Sequence, residues 1–332
     1  MQPRLDLGKL KPATAQWLEI GTGQPDLEPI AVHVVRGMEE GPCCGLISGV
    51  HGDEYDGMRA TTEWAREIDP SRLSGTVVVI PVANPLAFRA AVRKTPEDGK
   101  DLNRVFPGNC GGTVTDRLAA LITDGILAQA DLVLSLHGSS AVGVLMPWIE
   151  FLGIPGEVGR KTFDAAMASN FPDLIALPHL PGVLQTALAE RNIPTIEGEV
   201  GGRASTTRQN VDYYKQRIVD VLTHLGILPG TGQISGGPKR VWWLDSIAAE
   251  ESGIFVSTTE LNADVVQGQS VGFILNGRGD NVGEVKSPAN GRIGGLREHA
   301  GITRGDRVAT LWLPDESFNA DFYSNSSSKA RA

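Results

Sequence analysis

A histidine and a glutamate stand at i and i+3 in Gly49-Val50-His51-Gly52-Asp53-Glu54, at the end of the apolar run 45–50 and among glycines at 49, 52 and 57. Both side chains can ligate a metal. Two imidazoles and one carboxylate give Zn²⁺ three protein ligands and leave a fourth position for water, the arrangement of hydrolytic zinc enzymes. The pair therefore needs a second histidine. Of the six in the chain, His33 lies inside a strand pattern and His224 on a helical one, where a structural histidine is usual. His137 ends the run 131–136 and precedes Gly138-Ser139-Ser140. Ligands of open α/β sheets collect at the carboxyl ends of strands, where His51 and His137 both fall. Asp53 and Asp56 are competing carboxylates, and Asp53 is read as a helix cap or as support for a ligand.

A water activated in this way needs a base to take its proton and an acid to protonate a leaving amine, and one carboxylate can do both. Pro194-Thr195-Ile196-Glu197-Gly198-Glu199-Val200-Gly201-Gly202 offers two at the end of an apolar strand. Strand alternation puts Glu197 and Glu199 on the same face, so pattern alone does not choose between them. The loop 93–108, with Arg93, Asn103 and Arg104, is marked by glycine and proline and is rich in basic residues. Guanidinium groups there suit a carboxylate or an oxyanion, and a merely solvated loop is the plain alternative.

The elements that must position these groups are legible as alternation. Apolar runs at 30–35, 45–50, 76–82, 131–137 and 194–199 predict strands, several buried on both faces. Helical patterns fall between and after them, at 57–68, 115–130, 160–168, 183–191 and 207–225. This predicts an α/β domain with a mixed, largely parallel sheet flanked by helices over 1–235. The texture changes near Leu228-Pro229-Gly230-Thr231-Gly232 to short β-type runs cut by glycine, which predict a small all-β domain over 236–318 and a polar tail over 319–332. The run Val285-Lys286-Ser287-Pro288-Ala289-Asn290-Gly291 resembles the barrel-sandwich fold of lipoyl and biotinyl carriers. A carrier needs a lysine on the preceding hairpin, and Asn276-Gly277-Arg278-Gly279-Asp280-Asn281 has none.

A net charge of −9 over 332 residues disfavours nucleic acid or an anionic membrane as partner. No segment has the roughly 18 apolar residues needed to span a bilayer, and the start of the chain lacks the apolar core of a signal peptide. Three cysteines, two of them adjacent at 43 and 44, do not form a disulfide framework, so a cytoplasmic protein is expected. Cys110 is read as a packing thiol. A homo-oligomer is compatible with the sequence.

Taken in order, G-x-H-G-D-E, Asn84-Pro85-Leu86-Ala87-Phe88, D-L-N-R-x-F-P-G at 101–108, the strand-end Leu136-His137-Gly138 and Glu199-Val200-Gly201-Gly202 resemble the succinylglutamate desuccinylase and aspartoacylase family, a branch of the zinc carboxypeptidase fold. The resemblance runs from about residue 20 to the end. It implies one Zn²⁺ per chain on His51, Glu54 and His137, and amide hydrolysis of a small N-acyl amino acid. It implies that Arg93 stabilises the oxyanion, that Asn103 and Arg104 hold the substrate carboxylate, and that Glu199 is the general base. Two departures stand out. Ser135-Leu136 replaces the Asp-Leu of many members, and the family's arginine and tyrosine for an aspartate side chain have only Arg203, Arg208 and Tyr213 as nearby candidates. A carboxypeptidase acting on short peptides and a non-catalytic ligand-binding member are the alternatives.

Overall fold

Successive residues of a strand point to opposite faces, and here both faces of the central strands are covered. The computed structural model describes residues 4–21, 23–231 and 240–315, so the expected boundary at 235/236 and the tail 319–332 lie outside the described residues. In β3 (Glu39–Ser48), Leu46 joins the apolar layer holding Trp64 and Leu134. Its neighbour Ile47 joins the opposite layer with Val78 and Leu118.

Before β3 lie β1 (Thr14–Ile20) and β2 (Ile30–Arg36); after it come α1 (Tyr55–Glu67), β4 (Ser74–Ile80), α2 (Pro85–Ala90), α3 (Val114–Ala120) and β5 (Leu132–His137). Then follow β6 (Gly143–Leu152), α4 (Glu157–Ala168), β7 (Asp173–Leu177), α5 (Leu184–Ala189), β8 (Thr195–Gly202) and α6 (Arg208–His224). Helices α1 and α6 cover one face of the sheet through Trp64, Val211 and Tyr214. Helices α3 and α5 cover the other through Leu118 and Leu188.

At the centre β4, β3, β5 and β8 run parallel, and β7 pairs parallel with β6, whereas β1–β2, β2–β4 and β6–β8 are antiparallel. The sheet is therefore mixed, with its parallel part holding the strand ends that carry His51, His137 and Glu199.

Several elements escape the sequence reading. β1 alternates exposed and half-buried residues at an edge, so it shows no apolar run. β6 contains Pro147, which is tolerated where its register against β8 shifts between Leu145 and Trp148. The expected helix 115–130 is α-helical only to Ala120 and continues as a π-helical turn, Leu121–Ile126.

Beyond residue 240 every described element is a strand: β9 (Arg240–Ala248), β10 (Gly253–Ser257), β11 (Asp264–Val265), β12 (Ser270–Leu275), β13 (Asn281–Lys286), β14 (Gly291–Arg297), β15 (Gly301–Ile302) and β16 (Arg307–Pro314). Strands β9, β16, β14 and β11 extend the main sheet from β7, while β13, β12, β10 and β15 form a second sheet. One edge of β6 is divided: Gly143, Val144 and Leu145 pair with β14, and residues from Trp148 onward pair with β7. Trp148 packs edge-on against Trp312 of β16 at 5.6 Å between ring centres. The C-terminal strands are thus hydrogen-bonded and packed against the wall of the central cavity.

Candidate metal centre and substrate cavity

The turn from β3 into α1 is short because two glycines let it be. Gly49 has φ +66°, a left-handed conformation disfavoured for residues with a side chain, and a Cβ on Gly52 would overlap the Ala87 carbonyl. That turn brings His51 beside Glu54, the residue opening α1. His51 Nδ1 lies 2.9 Å from Glu54 Oε1, His137 Nδ1 lies 3.1 Å from Glu54 Oε2, and the two Nδ1 atoms are 3.3 Å apart. All three residues are buried.

The far nitrogen of each ring is held from behind. His51 Nε2 is 3.2 Å from Asp101 Oδ1. His137 Nε2 is 2.8 Å from Ser135 Oγ and 3.3 Å from Glu197 Oε1. Serine therefore occupies the supporting place that the sequence left in doubt. Acceptors behind Nε2 favour a proton there, so each ring in its neutral form turns its Nδ1 lone pair toward the Glu54 carboxylate, where a metal ion would displace any second proton. The donor set fits a divalent metal ion of borderline softness, and the ring orientation is the one that outer carboxylates impose on metal-ligating histidines. Burial opposes a charged His137, but Glu197 and Glu54 outweigh it and hold its pKa up at about 9.

Arg93 links the cradle to the loop that follows: its Nε donates to Asp101 Oδ2 at 3.0 Å and its Nη1 to Glu54 Oε1 at 3.3 Å. Burial resists ionisation of Asp101, yet His51 and Arg93 hold its carboxyl well below the usual range. Asn103 is buried, with Nδ2 3.4 Å from Glu197 Oε1 and Oδ1 accepting from the Leu184 amide at 2.9 Å. Arg104 is exposed at the cavity and donates to the Asn103 carbonyl at 2.6 Å. Glu199 also lines the cavity, and its Oε2 is buried without a hydrogen-bond partner. Burial, then Glu54, Glu150 and Glu197, push its carboxyl well above the ordinary range against the pull of Arg93. The structure thus brings His51, Arg93, Asn103, Arg104, Glu197 and Glu199 to one cavity of about 750 Å³, with Glu54 and His137 buried directly against His51.

Residues 40–225 match the succinylglutamate desuccinylase/aspartoacylase catalytic domain. The chain belongs to the succinylglutamate desuccinylase/aspartoacylase family. It is 28% identical over 294 residues to the N-alpha-acetyl-L-2,4-diaminobutyric acid deacetylase of Halomonas elongata, covering 85% of this chain and 84% of that one. Among solved structures it is similar to a succinylglutamate desuccinylase/aspartoacylase from Rhodobacter sphaeroides, with TM-score 0.84, 25% identity, and 94% and 98% of the two chains covered. The product-bound ectoine utilization protein EutE (DoeB) from Ruegeria pomeroyi gives TM-score 0.85 at the same identity and coverage.

Other expectations for this family member shift. Arg203 pairs with Glu298, Arg208 with Glu63 and Asp212, and Tyr213 packs on Phe171, so none of the three lines the cavity. Asp53 does not cap α1; it accepts from the Ala141 amide at 3.0 Å and steadies the turn after β5. Asp56 holds the start of α6 through the Thr207 amide and Asn210. Cys110 is exposed and does not serve as a packing thiol. His33 stacks on Trp17 at 4.5 Å as a structural histidine.

Sequence reasoning missed Glu150, Trp148 and Arg307, which also line the cavity. A carboxylate inside the apolar run Trp148-Ile149-Glu150-Phe151-Leu152 is a signal that could have found Glu150. Nothing local marks Arg307, because it arrives from β16, far away in the chain.

Proposed function

We propose that this protein is a zinc-dependent amide hydrolase that removes an acyl group from a small N-acyl amino acid. The observation that carries the reading is the convergence of His51, Glu54 and His137 beside Glu199, whose Oε2 is free in the same cavity. One Zn²⁺ held by those three residues would supply Lewis acidity to the acyl carbonyl and lower the pKa of a water.

The chain's own groups account for the remaining requirements. Glu199 takes the proton of the attacking water and returns it to the departing amine nitrogen, a transfer suited to a carboxyl held above its ordinary range. The Arg93 guanidinium, half-exposed to the cavity and oriented by Asp101, faces charge that develops on the carbonyl oxygen. Arg104, with an exposed guanidinium at the cavity, suits the substrate carboxylate. Asn103 fixes Glu197 and the start of α5, and its role is to hold that corner of the cavity in place.

The size of the cavity is that of a small-molecule site. Leu244, Ser246, Arg307 and Thr310 narrow it from the C-terminal strands, which favours a short substrate over the peptide of a carboxypeptidase. On this reading the region 236–318 is an accessory β domain that shapes the cavity. The Halomonas relative, by its name, removes an acetyl group from the α nitrogen of an amino acid, in keeping with this chemistry.

The test is a hydrolysis screen of N-acetyl, N-formyl and N-succinyl amino acids, with zinc-loaded and with chelator-treated protein. Release of free amino acid only with metal is expected. No release from any member of the series, with zinc bound, overturns the reading.

A further inference from the structure

Glu150 lies in the middle of β6, is 8% exposed, and lines the cavity. Among the described residues its side chain has one hydrogen-bond partner, the Trp148 indole N–H, which donates to Oε1 at 2.9 Å. Among the described residues no lysine, arginine or histidine pairs with it. The other cavity carboxylates that touch the cradle are matched: Asp101 by Arg93 and His51, Glu197 by His137. Strand register aggravates the mismatch, because Glu150 stands directly opposite Glu197 on β8 and Trp148 opposite Glu199. Like charges facing each other across a ladder are unfavourable, and a buried carboxylate without a directly paired cation is more so. Burial and then Glu197 push the Glu150 carboxyl up to about 7, with the Trp148 N–H and the more distant charges of His137 and Arg307 pulling the other way without outweighing them.

A leucine or glutamine would fill this place in an apolar strand without that cost. The geometry is that of an acceptor waiting for a cation: a carboxylate fixed by an indole N–H on one oxygen, in a cavity with the acyl-transfer residues. Ammonium groups bind carboxylates through charge-assisted hydrogen bonds.

We propose that Glu150 is an ammonium site of the cavity, selecting N-acyl amino acids whose side chain carries a second, protonated amine. This specificity rests on the deacylase reading given above. Glu150 pairs with the side-chain cation while Arg104 takes the carboxylate, so the two ends of the substrate meet opposite charges and only one orientation is favoured. A neutral side chain of the same length leaves Glu150 buried and unpaired, which is the strong form of discrimination available to a polar pocket.

The experiment compares N-α-acetyl-2,4-diaminobutyrate with N-α-acetylnorvaline, whose side chain has the same number of heavy atoms and no charge. With zinc-loaded wild-type protein the expected kcat/KM ratio is at least about 100 in favour of the diamino compound. Glu150→Gln is expected to bring the two within about tenfold, mainly by raising KM for the diamino compound, while Glu150→Asp keeps a preference. Calorimetric binding of free 2,4-diaminobutyrate and norvaline should show the same order without turnover. Equal handling of the two compounds by the wild type, or an unchanged ratio in Glu150→Gln, overturns the assignment. Should Glu150→Gln not fold, the wild-type pair alone decides. If neither compound nor any N-acyl amino acid is hydrolysed, the deacylase reading fails, and the calorimetric order still tests the ammonium site.

Discussion

Glu197 Oε1 lies 3.3 Å from Nε2 of His137, while Nδ1 of the same ring faces Glu54 at 3.1 Å. One imidazole therefore separates the carboxylate that orients it from the carboxylate that shares its ligand cluster. Glu199, two residues further along β8, has a free Oε2 in the cavity. The two glutamates share a face of the strand but meet different partners.

Glu199→Gln should keep fold and zinc and lose about 10²- to 10⁴-fold in turnover, the usual worth of general acid–base help. Glu197→Gln should instead weaken zinc binding by about 10- to 100-fold and recover turnover in excess zinc. Steady-state rates at graded zinc concentrations check both. The reverse pattern, with Glu197→Gln dead at saturating zinc, would move the base to Glu197.

Wild-type protein is expected to carry about one zinc per chain, and His51→Ala or His137→Ala to lose it, since each removes one of three protein ligands. Elemental analysis after dialysis reads this directly. Full zinc retention in both variants would sink the ligand assignment.

Gly52→Ala places a methyl group against the Ala87 carbonyl. The turn must shift or the start of α2 must yield, at a cost of about 1–3 kcal/mol, as for other overpacked sites. Denaturant unfolding of the variant checks the cost, and reduced zinc affinity should accompany it because His51 moves with the turn. A variant as stable as the wild type and equally rich in zinc would refute this.

Glu150 gives a pH signature. Its folded pKa, about 7, is raised above that of an unfolded glutamate, so the folded state keeps a proton that the unfolded state has lost. Stability is therefore unaffected by this group below the unfolded pKa and falls as pH rises toward 7, with a slope on the order of 1 kcal/mol per pH unit. In metal-free protein, Glu150→Gln should gain on the wild type across this window. Parallel thermal unfolding curves for the two from pH 5 to 7, with no change in their difference, would show that the carboxyl is not raised.

The sequence by itself determined the central strands, the main helices and the identity of the metal-capable residues. Those depend on local rules: apolar runs that suit a doubly covered strand, and a histidine at each of two strand ends. The motif order carried the family, and with it the expected partners of each ligand. What pattern could not supply was the division of labour between Glu197 and Glu199, since alternation gives two residues of one strand face the same status. The resemblance named Glu199, and the different partners of the two came only from the fold, with Glu197 at the His137 ring and Glu199 with an Oε2 unpaired in the cavity. Arg307 depended wholly on tertiary structure, and Glu150 had only a buried charge in an apolar run to mark it. Glu150 lies on a strand disguised by Pro147, and Arg307 reaches the cavity because β14 pairs with β6 and draws β16 alongside. A charge acquires its meaning from what surrounds it, and those surroundings are assembled from segments that are distant in the chain.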